Sequence, residues 1–305
     1  MSHGDAPRAD AIPAYVNAAS GSAAAAREAI EGDARFALHE VAPDALADAL
    51  RGEVERGAPR VLVAGGDGTL TTAAGALANT ETALAVLPGG TLNHFARDLA
   101  LPVDDLGACL EIAASAPVRR ADVAYVNDRL FLGTSSVGTY VRFVRTRERL
   151  ERLHLGYVVA SLVAAVRIWF SLRGFIVEIR EPTGVRRRRT AQLFVGVGER
   201  ELGRPGFGAR VPDGQRTLHV IVVRETTRAR ISVMVLTALA RGLDAMSRRG
   251  SLDALLVDDC TVTMRRPWGT VAIDGELVRM RGPLRYRVER DALGVVAPAA
   301  AAQAS

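Results

Sequence analysis

The sequence predicts an α/β N-terminal domain built on a parallel sheet, followed by an antiparallel, β-sandwich-like domain with inserted helices. Three observations carry this expectation. Up to about Val118, short apolar runs alternate with helix-like stretches, as βα units do. Two glycine-rich turns, Gly65-Gly66-Asp67-Gly68-Thr69 and Gly89-Gly90-Thr91-Leu92-Asn93, each follow an apolar run and precede a helix-like stretch. From Ala121 onward strand-like pieces dominate. At 305 residues and 49% apolar content the chain is long enough for two cores. The expected boundaries are residues 1–120 and 121–290, with a segment near 290–300 packing back on the first domain.

Taken in order, Ala14-Tyr15-Val16 reads as the first strand. It leads into Asn17-Ala18-Ala19-Ser20-Gly21 and an alanine-rich helix. A short strand around Phe36-Ala37-Leu38 and a helix from Pro43 to Arg56 come next. Val61-Leu62-Val63-Ala64 and Leu84-Ala85-Val86-Leu87-Pro88 are the strands that feed the two glycine turns. Alternating units of this kind form parallel sheets covered on both faces, and ligands bind at the carboxyl ends of their strands. The later strands are expected at Val123–Val126, Arg129–Leu132, Phe175–Arg180, Ala191–Val197, Thr217–Val223, Cys260–Met264, Gly269–Ile273 and Leu284–Glu289. Helices are expected at Leu155–Leu172 and Ile231–Arg248. The first of these is strongly apolar, yet it contains Arg167 and is short for a bilayer span, so it reads as a core-packed helix. The tail from Ala297 is alanine-rich and reads as disordered.

Glycine lets the backbone approach a ligand without a Cβ clash, and amides at a helix N-terminus favour negative charge, so both turns are suited to anions. Asp67 stands out, because a carboxylate beside a phosphate cradle repels it unless a divalent cation lies between them. That pattern points to a magnesium nucleotide. The chain has no lysine at all, its 39 basic residues being arginine. A Walker A loop, a protein-kinase strand lysine and Schiff-base chemistry are therefore excluded. Phosphoryl transfer survives the exclusion, since arginine, backbone amides and Mg²⁺ can neutralise the developing charge.

A net charge of +5 is compatible with an anionic membrane surface, but no nucleic-acid-binding signature accompanies the arginines and no nucleic-acid partner is expected. Arg142 to Arg152 form one basic cluster. Arg186-Arg187-Arg188-Arg189 form another, which follows Pro182-Thr183-Gly184 and reads as an exposed hairpin. Cys109 and Cys260 have no metal or redox spacing and read as buried thiols. Met1 to Pro13 has neither signal-peptide nor membrane-span character, so a cytoplasmic protein, peripheral at a membrane through its arginines, is expected.

At these motifs the chain resembles the diacylglycerol kinase-like lipid kinases, the group that also holds sphingosine and ceramide kinases. Asn17 to Gly21 is similar to the family's first loop, with Ala18 in place of proline, and Gly65 to Thr69 matches its Gly-Gly-Asp-Gly-Thr signature. Leu87 to Leu99 resembles its Pro-x-Gly-Thr-x-Asn-Asp-Phe-Ala-Arg block, Asp213-Gly214 its Asp-Asp-Gly turn, and Asp274-Gly275-Glu276 its late Asp-Gly-Glu motif. Asp122 stands where the family carries an aspartate at the domain junction. His94 occupies a position where the family often has aspartate, which removes one carboxylate from the metal network. Val195 to Glu199 lacks the asparagine of the corresponding family strand.

The resemblance implies an NAD kinase/diacylglycerol kinase-like fold and ATP-dependent transfer of the γ-phosphate to a lipid hydroxyl, as in diacylglycerol. ATP would lie against Asn17, Ser20, Gly21, Gly65, Gly66, Asp67, Gly68, Thr69, Gly90, Thr91 and Asn93. Asp67 would hold catalytic Mg²⁺, Glu276 would accept the hydroxyl proton, and Asp122 would support the metal network or orient Glu276. Asp213 would bind a separate, structural Mg²⁺. The apolar acceptor would enter near Gly133 to Gly138 and the helix at 155–172. A lipid substrate, membrane-surface contact through arginines and a homodimer are the partnerships this reading allows. Two other readings stay open: an NAD kinase-like enzyme with a soluble acceptor, and a catalytically weak lipid-binding protein on the same fold.

Overall fold

The computed structural model describes residues 11–18, 23–153, 156–170, 174–181, 184–201, 209–211, 213–223, 252–264 and 266–298. Two compact units divide the chain: Met1–Val123 with Glu289–Ser305, and Ala124–Val288.

In the first unit, β1 (Ile12–Asn17), β2 (Phe36–Val41), β3 (Arg60–Gly65) and β4 (Ala83–Pro88) run parallel in the order β2-β1-β3-β4. All of β4 and nearly all of β3 are buried, the pattern of central strands covered on both faces. The helices are α1 (Ala23–Glu31), α2 (Leu46–Glu55), α3 (Asp67–Leu77), the short α4 (His94–Asp98) and α5 (Leu106–Ser115). α1 buries Ala23, Ala26 and Ile30, and α2 buries Leu46, Leu50 and Glu53, the three- and four-residue spacing of a single helical face. Glu53 is tolerated inside because the Tyr15 hydroxyl donates to its Oε1 at 2.5 Å and Arg56 donates at 2.7 Å. The Arg56 hydrogen bond holds the Glu53 carboxyl below its ordinary range, while burial pushes the Tyr15 hydroxyl well above its own. β5 (Val118–Val126) follows α5. The long closing strand β16 (Leu284–Val296) aligns Val295 with Leu84 of β4, in parallel. Ala297 beyond it is fully buried, so order extends past the point where the composition suggested a disordered tail.

The second unit contains β6 (Arg129–Phe131), β7 (Thr134–Gly138), α6 (Thr139–Glu151), α7 (Tyr157–Phe170), β8 (Phe175–Glu181), β9 (Gly184–Thr190), β10 (Gln192–Val197), β11 (Leu218–Val223), β12 (Leu252–Val257), β13 (Asp259–Met264), β14 (Trp268–Ile273) and β15 (Glu276–Arg281). Six of these strands form an antiparallel sheet in the order β12-β11-β10-β7-β14-β15. A second layer runs β9-β8-β13 and then the first residues of β16, also antiparallel. Alternate residues of both layers meet in one core: Leu193, Val195 and Val197 of β10, Leu218, Val220 and Val222 of β11, Val177 and Ile179 of β8, Leu284 and Tyr286 of β16. Phe131 meets Tyr286 edge-on at 6.3 Å, and the buried Tyr286 hydroxyl finds Ser135 Oγ at 3.2 Å. Cys109 and Cys260 are free and buried, as expected. Burial pushes the Cys109 thiol up to about 11.

Arg186 to Arg189 lie on an exposed hairpin, as expected: they belong to β9, which pairs with β8 along its whole length and edges its layer. Other sequence expectations need correction. The helix expected at 155–172 forms as α7, but it is not core-packed. Its alanines, Ala160 and Ala164, point inward and are fully buried, while Val158, Leu162, Val166 and Phe170 are exposed. β7, α6, β12 and β15 lie outside the expected elements: β7 is largely polar and β15 charged, β12 is an apolar run with no alternation of period two, and α6 is a helix rich in arginine. The helix expected at Ile231–Arg248 lies outside the described residues.

Candidate active site

The parallel strands of the first unit deliver both glycine turns to their carboxyl ends: Gly65 closes β3, Pro88 closes β4, and Gly89 N–H donates to Gly65 O at 2.9 Å. The turns are packed backbone against backbone. A Cβ on Gly90 would stand 2.8 Å from Gly66 Cα and 2.9 Å from Asn93 Oδ1; a Cβ on Gly65 would stand 2.6 Å from Thr69 Cβ. Only hydrogen fits at these positions.

Asp67 joins the two turns through its carboxylate. Its Oδ2 accepts from His94 N–H at 3.2 Å and its Oδ1 from Phe95 N–H at 3.1 Å, so a residue opening α3 caps the N-terminus of α4. Asn93, in the left-handed region at φ 50°, turns its own Oδ1 back to accept from Gly90 N–H at 2.8 Å. Asn17, at the end of β1, donates from Nδ2 to Thr69 Oγ1 at 3.2 Å and brings a third strand end into the cluster. Thr91 is exposed beside it, and Gly66, Asp67, Gly68 and Thr69 are half-buried. Ser20 and Gly21 lie outside the described residues. The first amides of α3 have no intrahelical acceptor, which leaves a helix N-terminus at the lip of the cluster.

Asp122 sits in β5, buried at 3% exposure, and accepts from Asp291 N–H at 3.1 Å. Arg119 and Arg120 are engaged elsewhere, with Pro298 O and with Glu81.

The remaining predicted residues belong to the second unit. Asp213 is exposed at a turn with φ 56°. Among the described residues, no three histidine, cysteine or carboxylate side chains converge to hold a metal ion. Glu276 is the exposed first residue of β15, after the two-residue turn Asp274-Gly275, whose φ values of 45° and 90° are those of a tight hairpin. The neighbouring carboxylate is the one with a built environment. Asp274 Oδ2 accepts from Leu132 N–H at 2.8 Å, and its Oδ1 from Gly133 and Thr134 N–H at 2.9 Å each. This clamp fixes the Gly133 loop against the hairpin that carries Glu276. Asp274 opens a two-residue turn, but the amides it accepts lie 140 to 142 residues earlier in the chain, a separation that no local pattern reveals.

Comparison with known proteins follows this geometry. Residues 16–126 match the family model of the diacylglycerol kinase catalytic domain, a stretch holding Asn17, both glycine turns and Asp122 but neither Asp213 nor Glu276. The chain is 33% identical over 183 residues to the "Probable lipid kinase YegS-like" of Chromohalobacter salexigens, covering 58% of this chain and 57% of that protein. It is 32% identical over 155 residues to the diacylglycerol kinase of Bacillus subtilis, half of each chain. The chain thus spans about half the length of the curated relatives it matches. A solved structure from Bacillus anthracis str. Sterne shares the fold with a TM-score of 0.73 at 20% identity, over 98% of this chain and 99% of that one. A second, a diacylglycerol kinase by name, does so with a TM-score of 0.66 at 18% identity, over 95% and 98%. The fold class and the family resemblance read from the motifs are the ones these comparisons find.

Proposed function

We propose, from the premise that residues 16–126 match the diacylglycerol kinase catalytic domain, that this chain is an ATP-dependent lipid kinase acting on a lipid hydroxyl. The single observation that carries the reading is the backbone-to-backbone contact of Gly66 and Gly90 with Asp67 bonded across both turns, a cradle that a Cβ would fill. Such a cradle, at the ends of parallel strands and beside a helix N-terminus, suits a polyphosphate.

Asn17, Thr69, Thr91, Asn93 and the glycine amides position the phosphates. Ser20 and Gly21, outside the described residues, would contact phosphate by the same motif resemblance. Asp67 is the residue that would hold Mg²⁺; its oxygens each accept one amide and keep further lone pairs, and one carboxylate with substrate oxygens and water is an ordinary magnesium shell. Mg²⁺ held there by Asp67 would supply neutralisation of the charge on the phosphoryl oxygens. Glu276 accepts the lipid hydroxyl proton, steadied by the Asp274 clamp on its hairpin. Asp122 acts as a positioning residue through β5 and β16. Asp213, exposed at its turn, would be one ligand of a separate structural Mg²⁺.

Purified protein incubated with radiolabelled ATP, Mg²⁺, a total lipid extract and added NAD is expected to label one lipid class. Asp67→Asn and Glu276→Gln should each lower the rate by a factor on the order of 10² or more. Label moving to NAD instead would transfer the assignment to a soluble-acceptor kinase. Wild type that leaves every acceptor unlabelled would overturn the kinase reading.

A further inference from the structure

We propose that α7 is an interfacial anchor, which lays its outward apolar face into the surface of an anionic lipid bilayer while neighbouring arginines grip the headgroups. The proposal deepens the lipid-kinase reading, although its test does not depend on catalysis.

The polarity of α7 is inverted. A helix on a protein in water turns its large apolar residues inward. Here the small residues Ala160 and Ala164 face the protein and are fully buried, while Val158, Leu162, Val166 and Phe170, four residues apart along one stripe, are 77, 66, 49 and 64% exposed. Tyr157, Val159 and Trp169 widen the stripe, and Leu153 just before the helix is 68% exposed. A contiguous apolar row of this kind marks a surface that meets something other than water.

Charge selects the occupant. Residues 142–170 carry six arginines and two glutamates, and α7 itself has no acidic residue and only Arg167 as a charge. Arg145, Arg149, Arg152 and Arg167 are exposed, and the Arg147 guanidinium lies 5.1 Å over the Tyr157 ring at the start of α7. A second copy of this chain on the same face would bring arginine against arginine; an anionic lipid surface complements them.

Length fixes the depth. The 14 residues of α7 reach about 21 Å, short of the ~30 Å apolar thickness of a bilayer, and no helix among the described residues is long and apolar enough to cross one. The helix therefore lies in the interfacial plane, with Tyr157 and Trp169 near its two ends, at the level such aromatic rings prefer.

The test uses the full chain without nucleotide, co-sedimented with vesicles of phosphatidylcholine alone or mixed with phosphatidylglycerol. Wild type is expected to bind the mixed vesicles and to release in high salt. Arg149→Gln and Arg167→Gln should each weaken binding about fivefold. Leu162→Glu combined with Val166→Glu should abolish binding with an unchanged circular dichroism spectrum and melting temperature, since both side chains are exposed. In a Trp268→Phe background, Trp169 fluorescence should shift to the blue and be quenched by lipids brominated in their acyl chains. Asp67→Asn should bind as wild type does; wild-type vesicle binding together with no phosphate transfer by wild type in the labelled-ATP assay would sink the kinase reading and leave the anchor standing. Undiminished binding by the double glutamate variant, an unquenched Trp169, or a wild-type dimer that this variant splits without any vesicle binding would each overturn the proposal.

Discussion

At the scale of single residues, the structure shows polar side chains holding backbone. Asp67 caps a helix that begins well beyond its own, Asp274 gathers three amides, and Asn93 folds back on Gly90. His219 belongs to the same class: buried in β11, its Nδ1 accepts from Arg200 N–H at 3.0 Å. Burial holds its imidazole below the ordinary histidine value. The unfolded chain therefore takes up this proton at higher pH than the folded one does, and folding is favoured as pH rises. The contribution is whole above about pH 6.5 and is lost progressively as pH falls from there toward the lowered folded value. Protonation also takes the acceptor from a buried amide, which costs about 1–3 kcal/mol. Urea midpoints of wild type should thus fall between pH 7.5 and pH 5.5, and those of His219→Gln should fall less; parallel curves would remove His219 from the explanation.

At the scale of elements, the glycine turns behave as one object. Gly90→Ala must push Gly66 Cα or Asn93 aside, so it should cost about 1–3 kcal/mol and weaken nucleotide binding together with stability. Gly75, inside α3 with nothing within 4 Å of its would-be Cβ, is the contrast: Gly75→Ala should stabilise by about 0.5–1 kcal/mol. Denaturation of the two variants, with calorimetric nucleotide titration, checks both signs. These turns were readable in the sequence because glycine, aspartate and threonine after a buried apolar run leave few alternatives. The central strands were readable for the same reason. What escaped was whatever depends on partners distant in the chain. α7 reads as core because composition records hydrophobicity without direction, whereas the arginine run of β9 is legible as a hairpin because its partner β8 adjoins it in the chain. The bonds of Asp67 to residues 94 and 95 and of Asp274 to residues 132–134 span sequence separations that no local pattern reveals.

At the scale of the whole molecule, every basic side chain other than histidine is a guanidinium. Lysine would begin to discharge near pH 10, whereas arginine keeps its charge beyond pH 12. Nucleotide and anionic-vesicle binding should therefore persist from pH 8 to about pH 10.5; a loss of vesicle binding in that interval would assign the grip to other groups. The outward row on α7 reaches beyond biology into handling. A protein that presents valine, leucine, tryptophan and phenylalanine side by side to buffer is colloidally fragile when concentrated. It will adhere to hydrophobic resins, and a mild detergent rather than added salt will keep it dispersed, since salt screens the guanidinium repulsion that otherwise holds the molecules apart.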